Sequence, residues 1–203
     1  MYVSKICPQP DCKNKYRVVL EDSSSFLLYG KELKRFELAE EKDLPDEKLR
    51  EIYSILYKRG KERAFYLLQS RAKSTEEMRQ SLHKNGYPQC IVEKIINMLY
   101  EYDLLNDLRY ATDFVQSKRL KSRNQLIREL RLKGIDKEII TEVLAKNGEN
   151  DLQVLRMQIK KKLRGKIFDE KEKQKCIRSF SNRGFAYEDI RQVLYEMRQF
   201  EQI

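Results

Sequence analysis

The residues of this chain best suited to chemistry are two runs of cations. Lys118, Arg119, Lys121, Arg123, Arg128, Arg131 and Lys133 place seven positive charges in one short segment opposed only by Glu129. Arg156, Lys160, Lys161, Lys162, Arg164 and Lys166 follow, six cations within eleven residues and no acid among them. Side chains of this kind hold phosphates electrostatically without reading bases, which gives salt-sensitive and largely sequence-independent attachment. The same runs also fit solvated helix faces, so contact with a polyanion and plain solvation both stand at this point. The first reading makes the partner a nucleic acid, a nucleoprotein or an acidic protein surface.

No second set of residues assembles into a reaction centre. The sequence has a single histidine, His83, no glycine-rich phosphate loop and no Ser/His/Asp set, so a non-enzymatic protein without a cofactor is expected. His83 falls near an expected helix end, where its charge would meet the dipole favourably. Cys7 and Cys12 have a C-x4-C spacing that is loose for zinc and lacks two further ligands, so no metal is expected, and with Cys90 and Cys176 they read as free thiols. Asp103 and Asp107 stand near a helix start and suit its N-terminal dipole better than a catalytic pair. The sequence has no apolar run of 18 residues, and MYVSKICPQPD has no leader pattern; both lead us to expect a soluble cytoplasmic protein that avoids membranes.

Elements of two kinds must position these cations. Residues 1–60 carry 12 basic and 11 acidic side chains, whereas residues 61–203 carry 30 and 21, so the excess charge belongs to the later part of the chain. From Lys15 to Leu38, β-branched and aromatic runs are broken by Asp22-Ser23-Ser24-Ser25 and by Gly30, which predicts a β-hairpin or small sheet. From Leu44-Pro45-Asp46 onward, Leu49, Ile52, Tyr53, Leu56 and Tyr57 recur at helical spacing, with Asp46 as N-cap and Gly60 as a stop.

The strongest regularity is a repeat. Gly86, Gly134 and Gly184 are separated by 48 and 50 residues; Leu82, Leu130 and Phe180 stand four before them, and Tyr87, Ile135 and Phe185 one after. A left-handed glycine at C′ makes these apolar residues the C3 and C″ pair of a Schellman cap. Ser74-Thr75-Glu76-Glu77 and Ser122-Arg123-Asn124-Gln125 fit capping boxes that open the helices before the first two glycines, and Pro88 suits the first turn of the helix that follows. A period near 50 accommodates three helices of about 11 to 12 residues each. The fold predicted is mainly α: three tandem three-helix repeats in an elongated curved array, preceded by a small strand segment and a helix. The boundaries expected are 1–60, 61–105, 106–148 and 149–203, with first helices near Glu62–Arg71, Asp107–Lys118 and Asp151–Leu163. A helix pair with glycine in its turn also resembles a DNA-reading motif, which keeps a stand-alone DNA-binding protein open beside a helical adaptor for an acidic protein.

Several phrases resemble the RecX family across about residues 15–200. Arg63-Ala64-x-x-Leu67-Leu68-x-x-Arg71 with Ser74, Glu76, Glu77, Arg79 and Leu82 is similar to its first repeat, and Asp103-Leu104-Leu105-Asn106-Asp107-x-Arg109-Tyr110-Ala111 to the entry of its second. Arg123, Ile127, Glu129, Leu130, Lys133, Gly134 and Ile135 follow its most recognisable stretch, although Ser122-Arg123-Asn124 stands where the family usually places Gly or Pro. In the third repeat, Arg164-Gly165-Lys166-Ile167-Phe168 lengthens the loop. The resemblance implies a module that lies in the helical groove of a RecA filament and meets single-stranded DNA through it; a monomer is expected. There it would suppress strand exchange, ATP turnover and repressor cleavage, with the two basic runs as its expected contacts.

Overall fold

The computed structural model describes residues 1–10, 12–147, 151–163 and 169–200, and divides into two compact units, Met1–Asn106 and Asp107–Ile203. In the first, β1 (Tyr2–Pro8), β2 (Lys15–Leu20), β3 (Ser25–Tyr29) and the two-residue β4 (Lys42–Asp43) form an antiparallel sheet of order β3-β2-β1-β4. Alternation places Val18, Leu20, Phe26 and Leu28 on one buried face, and Phe26 meets Tyr53 edge to face with centroids 6.0 Å apart. The predicted hairpin is present as β2 and β3, but from Gly30 the chain forms helix α1 (Gly30–Phe36) instead of a further strand. The cause is local: Glu32 reaches back 2.8 Å to accept from the Tyr29 N–H and pairs with Arg59, whose guanidinium lies over the Tyr29 ring.

A three-helix unit packs on that sheet: α2 (Asp46–Ser70), α3 (Thr75–Lys84) and α4 (Gln89–Glu101). Pro45, not Asp46, is the N-cap of α2, and Asp46 stands in its first turn. Pro88 likewise takes the N-cap of α4, just before its first turn. Gly60 does not stop α2, which runs through it for a further ten residues, so the expected first helix near Glu62–Arg71 is the second half of one long element. Packing explains the glycine. A Cβ there would come within 2.4 Å of Ile95 Cδ1 on α4, so a bare backbone at residue 60 lets the two helices approach.

The second unit holds two further three-helix sets, α5 (Asp107–Ser117), α6 (Arg123–Leu132) and α7 (Lys137–Asn147), then α8 (Asp151–Leu163), α9 (Glu170–Ser181) and α10 (Tyr187–Phe200). Each set has its own core. Leu126, Leu130, Ile140 and Val143 anchor the former, and Val154, Ile159, Phe180, Ile190 and Val193 the latter.

All three repeat glycines adopt positive φ, at 82°, 73° and 82° for Gly86, Gly134 and Gly184. The hydrogen bonds are those of a Schellman cap: Tyr87 N–H donates to Leu82 O at 3.3 Å, Ile135 to Leu130 at 3.1 Å and Phe185 to Phe180 at 3.2 Å. Ser74 forms the reciprocal box with Glu77. Ser122 forms half of one, because its hydroxyl accepts from Gln125 N–H while the Gln125 amide turns to Glu129.

Two of these turns, at Gly86 and Gly184, offer more than a helix stop. The Gly86 carbonyl accepts from Leu27 N–H at 3.1 Å, closing the open edge of β3, and a Cβ on Gly86 would lie 2.2 Å from Leu27 Cγ. Replacing Gly60 by Ala is therefore predicted to destabilise the protein by about 1–3 kcal/mol, although helix propensity alone favours Ala by about 1 kcal/mol. Gly86→Ala should lose at least as much, having strain and collision together. Urea unfolding of both variants checks this; a stabilised Gly60→Ala protein would contradict the close approach of α2 and α4.

Candidate nucleic-acid interface

The cations of the second unit are placed by three kinds of contact. Helix α6 begins at Ser122, whose buried hydroxyl donates to Arg183 O at 2.6 Å, and Asn124 donates its amide to Gly184 O at 3.0 Å. The N-terminus of α6 thus rests on the glycine turn between α9 and α10, where a Cβ on Gly184 would sit 3.0 Å from Ser122 Oγ. The first N–H of α6, from Arg123, donates at 2.9 Å to the Asp151 carboxylate at the start of α8. Gln158 of α8 donates to the Leu120 carbonyl and accepts from Arg183 at 2.6 Å.

That last bridge is decisive for the site. Leu120 stands between Arg119 and Lys121, and Gln158 stands between Arg156 and Lys160. Two cation runs separated in sequence are therefore joined by a side-chain contact between the α5–α6 turn and α8.

The runs are not uniformly available. Among the described residues, Lys118, Arg119, Arg128, Arg131, Lys160 and Lys161 are exposed and their side chains have no acid or ring partner. Lys121 is paired with Glu129, both side chains being less than a third exposed. Arg123 is exposed but spends one guanidinium N–H on Leu144 O, 3.3 Å away. Lys133 lies 5.6 Å from the centroids of both Tyr110 and Phe114, and Lys162 lies 5.3 Å from that of Phe180. Arg156 grips Glu196 through two hydrogen bonds of 2.8 and 2.9 Å, an arrangement that holds the Glu196 carboxyl below its ordinary range. Arg164 and Lys166 lie outside the described residues. Arg183 was absent from the runs yet joins α8 through Gln158; an isolated arginine beside a turn glycine carries no signal of charge density.

In the first unit, Cys7, Cys12 and Cys90 are free thiols, as is Cys176 in the second. Among the described residues no helix is long and apolar enough to cross a membrane.

Asp151 supplies a pH test of this junction. Burial, reinforced by the nearby Asp189 carboxylate, pushes its pKa up from 3.8 against the lowering effect of the Arg123 N–H. A carboxyl whose folded pKa is raised binds its proton more tightly in the folded state. Its contribution is thus fullest at acid pH and is lost as pH rises through the window above 3.8. Asp151→Asn keeps the acceptor without the charge, so it should raise the midpoint of thermal unfolding near neutrality, with the gain shrinking as pH falls toward the ordinary carboxylate range. A pH-independent difference would contradict the assignment. Lys162→Glu should cost about 1 kcal/mol or more by removing the cation from the Phe180 ring, whereas Lys160→Glu and Lys161→Glu should each stay within about 0.5 kcal/mol by chemical denaturation.

Comparison with known proteins agrees with the three-helix organisation. Residues 106–144 match the family model described as RecX, second three-helix domain, and residues 149–194 match RecX, third three-helix domain. Proteins named Regulatory protein RecX align over most of the chain. That of Bacillus licheniformis is 29% identical over 96% of this chain and 77% of its own length. That of Clostridium acetobutylicum is 29% identical over 96% and 95%. A crystal structure of regulatory protein RecX superposes with a TM-score of 0.60 at 20% identity, covering 95% of this chain and 98% of that one. The RecX structure from Lactobacillus salivarius gives 0.60 at 21% identity over 72% and 99%. Matching three-helix domains, and relatives named Regulatory protein RecX that align over most of this chain, support the RecX family for it.

Proposed function

We propose that this chain is a regulatory protein that binds RecA–DNA filaments and restrains their recombinase, ATPase and coprotease activities. The observation that carries the reading is the alignment, over nearly the whole chain, with relatives named as regulatory proteins. The second unit supplies a physical means. Lys118, Arg119, Arg128, Arg131, Lys160 and Lys161 present six exposed cations without internal acid partners, and the Gln158–Leu120 bridge sets the turn cations beside those of α8. A partner of regularly spaced phosphates and acidic protomer surfaces suits such a face, and its binding would be sensitive to salt. No step of this role calls for bond-making by the chain itself, so the protein acts as a monomeric, non-enzymatic regulator in the cytoplasm, where the filament forms. The repeats we propose are 61–105, 106–148 and 149–203, with α2 carrying the chain from the segment 1–60 into the first of them without a break.

RecA ATPase on single-stranded DNA, titrated with the protein, tests the reading. Wild type should slow turnover. Lys160→Glu/Lys161→Glu, with Lys162 kept because of its place over Phe180, should require more protein for the same inhibition and show a flatter salt dependence, about 0.7 less in slope for each phosphate no longer neutralised. A wild type that never inhibits sinks the proposal; a folded double variant that inhibits like wild type moves the binding surface away from α8. Binding to naked single-stranded DNA as tight as to RecA-coated DNA would favour the stand-alone DNA-binding reading instead.

A further inference from the structure

The first unit contains a groove that the filament reading leaves unused. It lies between α2 and α4 and encloses about 710 Å³, within the range of about 300–1,000 Å³ common for ligand sites. The two helices run the same way along it, since the Tyr53 hydroxyl meets the Cys90 thiol and, further on, Gly60 meets Ile95. Each presents a stripe with spacings of three and four residues: Arg50, Tyr53, Tyr57 and Lys61 on α2, facing Ile91, Lys94, Met98 and Tyr102 on the side of α4. The α2 stripe is about 16 Å long, or about three turns. Helix α3 packs on both helices yet contributes no lining residue, so the groove is a second face of the α2–α4 pair.

Two helices with parallel stripes at this spacing form the receiving half of a three-helix packing, in which a further helix sets its own apolar row between them. The floor suits such a row. Ile91 and Met98 are buried at 1% and 7% exposure, Tyr53 packs edge to face on Phe26, and Tyr57 belongs to the same core with Lys61 Nζ 5.7 Å from its centroid. The rim is basic. Among the described residues Arg50, Lys61 and Lys94 have no acid partner, and of the lining residues only Glu101 opposes their charge.

This combination separates the candidate occupants. A single nucleic-acid strand needs a row of open rings, and here Tyr102 alone among the lining tyrosines stands open, at 70% exposure. A second copy of this chain would bring a net charge of +10 to a basic rim. An acidic helix with one apolar face satisfies both floor and rim. We propose that the α2–α4 groove docks an amphipathic helix of a partner protein, about three turns long, its apolar row against Tyr57, Met98 and Tyr102 and its acidic flanks against Arg50, Lys61 and Lys94. The site lies wholly in the first unit and uses none of the second unit's cations.

The probe is a fluorescein-labelled synthetic helical peptide of about three to four turns, with Leu at i, i+4, i+7 and i+11 and Glu on both flanks. Titrated with the full chain and followed by anisotropy, it should bind saturably and lose affinity as salt rises. A peptide with Lys in place of Glu, and one with the same composition but its Leu residues shuffled off a single face, should each bind about 10-fold more weakly or worse. Lys94→Glu should weaken binding of the Glu-flanked peptide about 5-fold or more and flatten its salt dependence. Ser54 and Asn97 are exposed lining positions on opposite sides of the groove, so Ser54→Trp and Asn97→Trp should fill it and abolish binding while circular dichroism shows the native helix content. The proposal is overturned if the Glu-flanked peptide does not bind at low salt, if the shuffled peptide binds equally well, or if both tryptophan variants bind like wild type. It is also overturned if Ser54→Trp loses oligo-dT but keeps the peptide, which makes the groove a strand site. A wild-type dimer in sedimentation that Ser54→Trp splits into monomers overturns it too, by assigning the groove to a second copy. The Lys160→Glu/Lys161→Glu protein should bind the peptide as wild type does, so failure of filament regulation and failure of helix docking are read separately.

Discussion

The left-handed glycine that ends the middle helix of each three-helix set is the constraint from which the rest of the structure follows. Positive φ at Gly86, Gly134 and Gly184 turns the chain back through a Schellman cap. A residue without Cβ also leaves backbone bare for another element. At Gly86 the occupant is Leu27 on the sheet edge; at Gly184 it is the Ser122–Asn124 start of α6. The same turn therefore joins the sheet to the first helices and the second helical set to the third.

The proposed function rests on that second junction. Seating α6 on the Gly184 turn carries the α5–α6 connection to α8, where Gln158 holds Leu120 and Asp151 receives the Arg123 N–H. The cations on either side are exposed because the apolar faces of their helices are committed to separate cores. On the proposed function, affinity for the filament would follow from how the repeats are joined, with charge density rather than a shaped pocket supplying the attachment.

Much of this was legible in the sequence because it is written in local chemistry. The glycine spacing with its C3 and C″ partners, and the Ser74 box, need only residues near one another in the chain. Gly60 misled for the opposite reason: its role is set by Ile95 on another helix, and local rules give glycine only its helix-ending tendency. Strand β1 lay hidden because Lys5, Cys7 and Pro8 blur its alternation, and pairing with β2 and β4 supplies what propensity lacks. At the site, sequence counted charges but not their partners. Arg156 faces Glu196 forty residues later, Lys133 and Lys162 lie over rings, and the bridge from Gln158 to Leu120 spans 38 residues.

The central claim is that the joined cations of the second unit form the surface that meets the filament. Hydrogen exchange read by mass spectrometry, with and without RecA assembled on single-stranded DNA, tests it most directly. The account predicts slower exchange in peptides covering 118–133 and 151–163 when the filament is present, and a loss of that protection at high salt. Filament binding that leaves both segments unprotected, while protecting others, would contradict it.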